Sequence, residues 1–484
     1  MTMPTVNDFL LILPEVVLLI WALLILLIDL WIPDTKKYYT AVLSAAGLVI
    51  SAGCAFALLG RTGSAFSNMV VLDGFSSVLS ILFLLSGLAA VALAYDYLKR
   101  NAAQRGEYYT LLLFSIAGMM LMASANDLIM VFLSLELLSI PLYILAGFFR
   151  PRLASEEAAL KYFLLGAFSS AILLFGIAWI YGSTGHTDFP GIVASIDGGR
   201  ANYLLLLIGA GLLLVGFGFK IGVFPFHMWV PDTYQGSPSS IGAFMTVATK
   251  AAGFAALLRV FLVLFPAEAP IMAGILWGLS AASMIFGNTV AIAQMNMKRL
   301  LAYSSIANAG YILMAFVPYG NPVIAQEAVS SALFYLLAYA LTSFGAWAVM
   351  IALEPAESDG LLLQDFSGLG RKYPWLGAAL LISMLSFIGV PLTMGFWGKF
   401  YLFKTAVDGS QIPLVLIGLL TSLVSAYYYL RIVMFAYFKP GEPQIQPGRW
   451  ASVVAVICAA GIFVLSFIPT PVFQFAAQMI MGMK

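Results

Sequence analysis

Four ionisable side chains lie well inside long apolar stretches of the sequence, namely Glu136, Lys220, Lys250 and Lys399. A charged side chain in hydrocarbon costs at least about 2.5 to 3.5 kcal/mol, so each of these charges needs a partner or a function. Lysine suits proton transfer because desolvation favours its neutral amine, whereas a nearby carboxylate favours the ammonium. One acid and three lysines could therefore form a proton relay, in which moving Glu136 relative to Lys220 loads or releases a proton.

The segment 211–240, GLLLVGFGFKIGVFPFHMWVPDTYQGSPSS, combines Lys220 with residues that interrupt helices. Its first half is apolar and predicts a helix, but Pro225, His227 and Pro231 follow closely. Proline removes a helical hydrogen bond, and a break at membrane depth is tolerated only where protein or a water-filled cavity surrounds the freed backbone groups. A buried lysine beside such a break indicates an ion path.

The segment SFIGVPLTMGFWGKFYLF repeats this combination. Pro391 and Gly395 interrupt an apolar run that then reaches Lys399. Two interrupted, lysine-bearing helices five crossings apart predict an inverted repeat, with helices 4 to 8 set against helices 9 to 13, because a unit with an odd number of crossings returns upside down.

Alternative interpretations apply to all of these charges. Each buried charge could pair with a neighbour and only hold the helices together, but two of the four lie at predicted breaks, which favours a relay. His227 could satisfy backbone groups freed by the prolines or could shuttle protons. Lys161 could lie at the membrane interface or face Glu136. Arg259 and Arg431, near helix ends, are predicted to reach lipid headgroups.

Composition excludes a soluble globular protein. The 484 residues are 62% hydrophobic and 9% charged, with a mean hydropathy of +0.99, whereas a soluble protein has roughly 25% charged residues. Cys54 and Cys458 lie far apart in apolar segments and in no metal-binding pattern, so we expect no redox centre or metal on this chain. Asp8 and Glu15 replace the basic residues of a cleavable signal, so the first segment is predicted to be a retained helix.

The sequence predicts an all-α polytopic membrane protein with about fourteen transmembrane helices, of which helices 7 and 12 are broken. The predicted regions are helices 1 to 3 in residues 1–106, the first five-helix repeat in 107–266, the inverted second repeat in 267–439, and a C-terminal helix region in 440–484. Helix 3 is predicted to begin at Val70, and the segment 182–200 is predicted to be a loop.

Basic residues predict the orientation in the membrane. Loops after odd-numbered helices hold most of them, including Lys99, Arg100 and Lys298, whereas an acidic loop containing Glu354 follows helix 11. The positive-inside rule therefore places both termini on the non-cytoplasmic side.

Four motifs together resemble one family: FGFKIGVFPFHMWVPDTYQGSP, LSLELLSIPLYIL, NMKRLLAYSSIANAGY and GVPLTMGFWGKF. They are similar to the antiporter-like membrane subunits of respiratory complex I, and most similar to bacterial NADH-quinone oxidoreductase subunit N. Lysine at the second break favours subunit N or L over M, and the absence of a long C-terminal extension disfavours L.

The resemblance implies that Glu136, Lys220, Lys250 and Lys399 are proton-path residues and that Lys161 is auxiliary. It also implies a multi-pass subunit of the bacterial inner membrane whose partners are the other complex I membrane subunits and, through them, the peripheral redox arm. FMN, iron–sulfur clusters and quinone are then expected on partner subunits, and no nucleic acid is expected. Asn308 stands where members of the family often have histidine, so the link between Lys250 and Lys399 is expected to run through water.

Two other functions are compatible with these charges. A subunit of a multisubunit cation/proton antiporter would share the ancestry and the buried lysines. A structural scaffold would make the lysines dispensable.

Overall fold

A computed structural model describes residues 5–358 and 360–480. The remaining residues, which include the outer ends of the first and last predicted regions, lie outside this description. The first ten helices are α1 Val6–Leu11, α2 Leu13–Asp29, α3 Tyr38–Ala57, α4 Gly74–Arg100, α5 Gly106–Ser124, α6 Leu128–Ala146, α7 Leu153–Thr184, α8 Phe189–Asp197, α9 Tyr203–Ile221 and α10 Trp229–Gly236.

The later helices are α11 Ser239–Phe244, α12 Lys250–Leu264, α13 Ala269–Ala293, α14 Met297–Phe316, α15 Pro322–Leu353, α16 Leu369–Lys372, α17 Pro374–Ile388, α18 Met394–Asp408, α19 Ile412–Phe438, α20 Trp450–Leu465 and α21 Pro469–Ile480. A π-helical turn, Met245–Thr249, joins α11 to α12. The predicted multi-pass helical protein is confirmed in this coarse form.

Within the described ranges, ten helices are long and apolar enough to cross a membrane. The pair α20 and α21 adds an eleventh span if it is one helix bent by 92°. About fourteen crossings were expected from the sequence. One shorter apolar helix, α17, has only 15 residues, because it ends at the predicted second break.

The prediction that a helix begins at Val70 is wrong, because a short hairpin precedes that helix in the otherwise mostly helical chain. Strand β1, Gly63–Ala65, pairs antiparallel with β2, Val70–Leu72. The Asp73 side chain then accepts the backbone N–H of Ser76 and caps α4. Hydropathy could not reveal this boundary, because the apolar strand runs directly into an apolar helix.

Two further boundaries differ from the sequence predictions. The predicted loop 182–200 contains the helix α8, which begins where Asp188 accepts the N–H of Gly191. At the C-terminal end, α21 follows α20 after a sharp bend, so the described chain continues as a helix beyond Ile468.

Two helices end in the same way next to the charged residues. Helix α9 ends at Ile221, and Gly222 has a φ of 71°. Helix α17 ends at Ile388, and Gly389 has a φ of 87°. Glycine adopts this left-handed conformation without steric cost, so each glycine ends its helix and turns the chain. Valine follows in both places, so one Ile-Gly-Val sequence marks each helix end.

Candidate functional site

Lys220 lies in the last turn of α9 and is 2% exposed. Its Nζ donates to Ser139 Oγ at 2.7 Å and to Tyr162 OH at 3.3 Å. Ser139 Oγ donates its own proton to the Leu135 carbonyl at 2.5 Å. The lone pairs of Ser139 are therefore free to accept from the lysine, so α6 supplies a fixed acceptor for the amine.

Glu136 lies on the same helix as Ser139, but it does not bind Lys220 directly. It accepts a hydrogen bond from Ser170 Oγ at 2.5 Å. A cavity lined by Lys220, by its partner Ser139 and by the Glu136 partner Ser170 leaves about 10 Å³ for the centre of a water molecule. This is the space that about one water needs. Glu136 and Lys220 are close enough for their charges to interact without a direct hydrogen bond.

Lys250 follows the π-helical turn and is 3% exposed. Its Nζ donates to the Ile221 carbonyl at 2.6 Å and to the Ser305 carbonyl at 3.2 Å. The last carbonyls of an α-helix lack partners within the helix, so Lys250 satisfies one that the end of α9 leaves free. The amine thereby joins α9, next to Lys220, to α14.

Lys399 is a residue of α18, and its amine makes a similar contact at the end of α17. Its Nζ donates to the Ile388 carbonyl at 3.1 Å and to Ser422 Oγ at 2.8 Å, and it lies 4.9 Å from the centre of the Tyr311 ring. The side chain is mostly buried, at 5% exposed. Both helices that end at an Ile-Gly-Val sequence therefore have a lysine amine bound to the last carbonyl, Lys250 for α9 and Lys399 for α17.

Polar side chains fill the space between Lys250 and Lys399. Asn308 Nδ2 donates to the Ser304 carbonyl at 2.8 Å, and Tyr335 OH donates to Asn308 Oδ1 at 2.5 Å. Ser304 Oγ also contacts Tyr429 OH. The network continues through Tyr428, Asn288, Tyr311 and Thr421. We call this set, from Ser304 to Thr421, the hydroxyl–amide network.

Lys161 is separate from the buried amines. Its side chain is 43% exposed and pairs with Glu157 at 2.7 Å and with Asp232 at 2.8 Å. Asp232 also binds Arg299 at 2.9 Å. Of the two sequence interpretations, this position agrees with an interfacial lysine, since no hydrogen bond or ion pair joins it to Glu136.

His227 lies between α9 and α10 and is 7% exposed. Its ring centre is 5.4 Å from that of Phe224 and 4.6 Å from that of Phe286. Nδ1 is buried without a hydrogen-bond partner in the described chain. The ring is therefore held by aromatic contacts, and neither of its two predicted roles is supported by a hydrogen bond.

Two buried ion pairs were missed by sequence reasoning. Arg259, predicted to reach lipid headgroups, is instead 3% exposed and binds Asp73 at 2.9 Å. Lys298 lies 3.2 Å from Glu354, and both side chains are at most 2% exposed. All four residues lie at or near segment ends, where hydropathy suggests contact with water, so only the tertiary packing shows that they are buried.

The described residues include no group of three or more His, Cys, Asp or Glu side chains placed to hold a metal ion. The site is instead built from amines, hydroxyls, one carboxylate and backbone carbonyls. Such groups exchange protons and bind water.

Comparison with known proteins assigns the chain to a family. The model of the family described as NADH:quinone oxidoreductase/Mrp antiporter, TM, matches residues 125–425, which contain all four relay candidates. NADH-quinone oxidoreductase subunit N of Trichlorobacter lovleyi is 45% identical over 476 residues, 96% of each chain. The chain belongs to the NADH-quinone oxidoreductase subunit N family. The resemblance predicted from the four motifs is therefore confirmed.

Solved structures agree with membership of the subunit N family. A chain of respiratory complex I from Thermus thermophilus is 37% identical, with a TM-score of 0.83 over 96% of this chain and 99% of that one. A chain of the Mrp complex from Dietzia sp. has a TM-score of 0.86 over 99% of this chain and 98% of that one, at 20% identity. The similarity to the Mrp complex chain, at 20% identity, shows only that the two chains share a fold.

Proposed function

We propose that this chain is the proton-translocating membrane subunit of a bacterial NADH-quinone oxidoreductase. The observation that carries the proposal is the series of three buried lysine amines, each bound to a hydroxyl or a backbone carbonyl, in a subunit N family chain. FMN, iron–sulfur clusters and quinone then belong to partner subunits, and quinone reduction there drives protons through this chain. Its partners are the other membrane subunits and, through them, the peripheral redox arm.

The relay begins with Glu136 and Lys220. Lys220 donates to a hydroxyl oxygen rather than to a carboxylate, so the charge of Glu136 acts on it from a distance and not through a fixed ion pair. A small movement of Glu136 therefore changes how strongly the ammonium is stabilised. In this proposal, Glu136 approaching Lys220 loads a proton and Glu136 withdrawing releases it.

Lys250 and Lys399 complete the route. Neither amine has a carboxylate within 4 Å among the described residues, so each can exist in both protonation states. Lys250 contacts the Ile221 carbonyl on one side and the Ser305 carbonyl on the other. Beyond Ser305, protons are passed along the hydroxyl–amide network and the water between its groups as far as Tyr311. The ring of Tyr311 faces the Lys399 amine. Protons pass Lys220, then Lys250, then Lys399.

The proposed architecture follows the inverted repeat. Residues 107–266 form one five-helix unit and 267–439 the other, flanked by 1–106 and 440–484, with about fourteen crossings in total. The two Ile-Gly-Val helix ends, each with a lysine on its terminal carbonyl, support the pairing of the predicted broken helix that contains Lys220 with the one that contains Lys399. Both termini face the non-cytoplasmic side of the inner membrane.

Glu136→Gln should impair NADH-driven proton translocation more than Glu136→Asp. Aspartate keeps the negative charge that acts on Lys220, whereas glutamine keeps only the shape and the contact with Ser170. The measurement is the rate of proton uptake by vesicles carrying the assembled complex. Equal rates in the glutamate, aspartate and glutamine forms would reduce Glu136 to a packing residue.

A multisubunit cation/proton antiporter is the alternative, since the matching family model covers both kinds of protein. The 45% identity to a full-length subunit N favours the oxidoreductase. Purification in mild detergent tests the choice. Flavin and iron–sulfur subunits should co-purify with this chain, and recovery of small membrane subunits alone would support the antiporter. A structural scaffold predicts that all of the buried lysines can be replaced without loss of transport.

A further inference from the structure

A second buried carboxylate lies away from the proposed route, in the first turn of α2. Glu15 is 6% exposed, and its Oε2 has no hydrogen-bond partner among the residues that the structure describes. The positive end of the helix dipole stabilises a negative side chain in the first turn, which accounts for an acidic residue at this position. It does not account for burial with an unsatisfied oxygen, because a buried charge is costly unless it is paired.

The Glu15 side chain lines a small cavity together with four serines, Ser76, Ser77 and Ser80 of α4 and Ser124 of α5. The cavity leaves about 10 Å³ for the centre of a water molecule. That is room for about one water or one ion of similar size.

Serine hydroxyl oxygens in the walls of this cavity can act as electron-pair donors to a ligand. Ser77 Oγ donates to the Asp73 carbonyl at 2.8 Å, and Ser124 Oγ donates to the Met120 carbonyl at 3.2 Å. Their hydroxyl protons are therefore turned towards the backbone, and their lone pairs remain for a ligand. Among the described residues, no lysine, arginine or histidine lines the cavity, so no described side chain there balances an ionised Glu15 carboxylate.

From this arrangement we infer that the cavity binds one small monovalent cation of the size of Na⁺, through the Glu15 carboxylate and the serine hydroxyl oxygens. Oxygen ligands suit hard cations, and a single carboxylate balances one positive charge. A divalent ion would leave an excess charge in a buried site, since Asp73, the nearest other acid along α4, already binds Arg259. The bound ion would join α2 to α4, α5 and the adjoining strand β2.

The test compares binding of radioactive Na⁺ to the purified complex that contains this chain. Glu15→Gln, which keeps the shape and removes the charge, should lower the bound Na⁺ by one per complex. Glu268→Gln is the matched control, because Glu268 is 2% exposed and also has an unpartnered Oε2 but lies elsewhere in the chain. This control should keep the wild-type amount.

Ser80→Ala provides a second variant in case Glu15→Gln does not assemble, and it should weaken Na⁺ binding by about tenfold. Na⁺ should also raise the melting temperature of the wild-type complex relative to choline, and this difference should disappear in Glu15→Gln. Equal Na⁺ binding by the wild type and Glu15→Gln would overturn the inference. A protonated carboxylic acid band in the infrared spectrum of the wild type in Na⁺, lost in Glu15→Gln, would overturn it in favour of a bound proton.

Discussion

Lys220→Ala is expected to leave the complex assembled and to remove most NADH-driven proton translocation. The amine donates to Ser139 and Tyr162, two neutral hydroxyls that keep other partners or aromatic contacts when it is lost. A positioned acid or base contributes about 100-fold or more to a proton-transfer step, so no other group at this position replaces it. The measurement is proton uptake per unit time in vesicles containing equal amounts of assembled complex.

Two further variants sharpen this result. Lys220→Arg should also fail, because a guanidinium keeps its proton at accessible pH. Lys404→Ala is the matched control, since Lys404 is 48% exposed and pairs with Asp408 and Glu327 at the surface, and it should pump normally. Normal pumping by Lys220→Arg would reduce Lys220 to a fixed charge, and normal pumping by Lys220→Ala would remove it from the route.

The second large effect is expected at the buried pair of Lys298 and Glu354. Lys298→Met should destabilise this chain by about 3 to 5 kcal/mol, because it leaves Glu354 buried without its ion-pair partner. Ser239 still donates to Glu354 Oε2 at 2.5 Å, but a single neutral hydrogen bond does not replace a charge. The measurement is the midpoint of denaturant-induced or thermal dissociation of this chain from the purified complex.

The double variant Lys298→Met with Glu354→Gln should recover most of the lost stability, since neither charge of this pair then remains buried. Lys372→Met is the control, because its partner Glu442 is 85% exposed, and such pairs contribute about 1 kcal/mol or less. A double variant no more stable than Lys298→Met alone would show that the side chains act through packing rather than as an ion pair.

Much of the architecture was predictable because apolar runs and their interruptions are local properties of the sequence. Lys220, Lys250 and Lys399 stood out as charges within apolar segments, and all three are buried. Proline and glycine near Ile221 and Ile388 marked where α9 and α17 end. The motifs around these positions were also sufficient to indicate the family.

The contacts that organise the site were not predictable, because they join residues far apart in the chain. That Lys250 binds the Ile221 carbonyl depends on the packing of α12 against the end of α9. The hydroxyl–amide network likewise unites side chains of α13, α14, α15 and α19, whose serines and tyrosines are unremarkable in sequence. Asn308, which lacks a titratable group, still joins Tyr335 to Ser304 within that network.

The pairing of charges at helix ends was misjudged for a related reason. Arg259 and Lys298 are typical of residues that reach lipid headgroups or water, and the sequence offers no local sign of the acids that bind them. Asp73 lies between β2 and α4, in a segment that was itself predicted to be helix, and Glu354 follows the end of α15. Their burial follows from the packing of segments from different parts of the chain.

The central claim is that protons cross this subunit by way of Lys250 and Lys399. Its most direct test is the number of protons translocated per NADH oxidised in vesicles containing the assembled complex, with Lys250→Ala and Lys399→Ala compared with the wild type and with Lys404→Ala. We expect both buried-lysine variants to lower this ratio or to stop coupled turnover, while Lys404→Ala keeps the wild-type ratio. Wild-type ratios and rates in both Lys250→Ala and Lys399→Ala would contradict a route through the middle of this subunit.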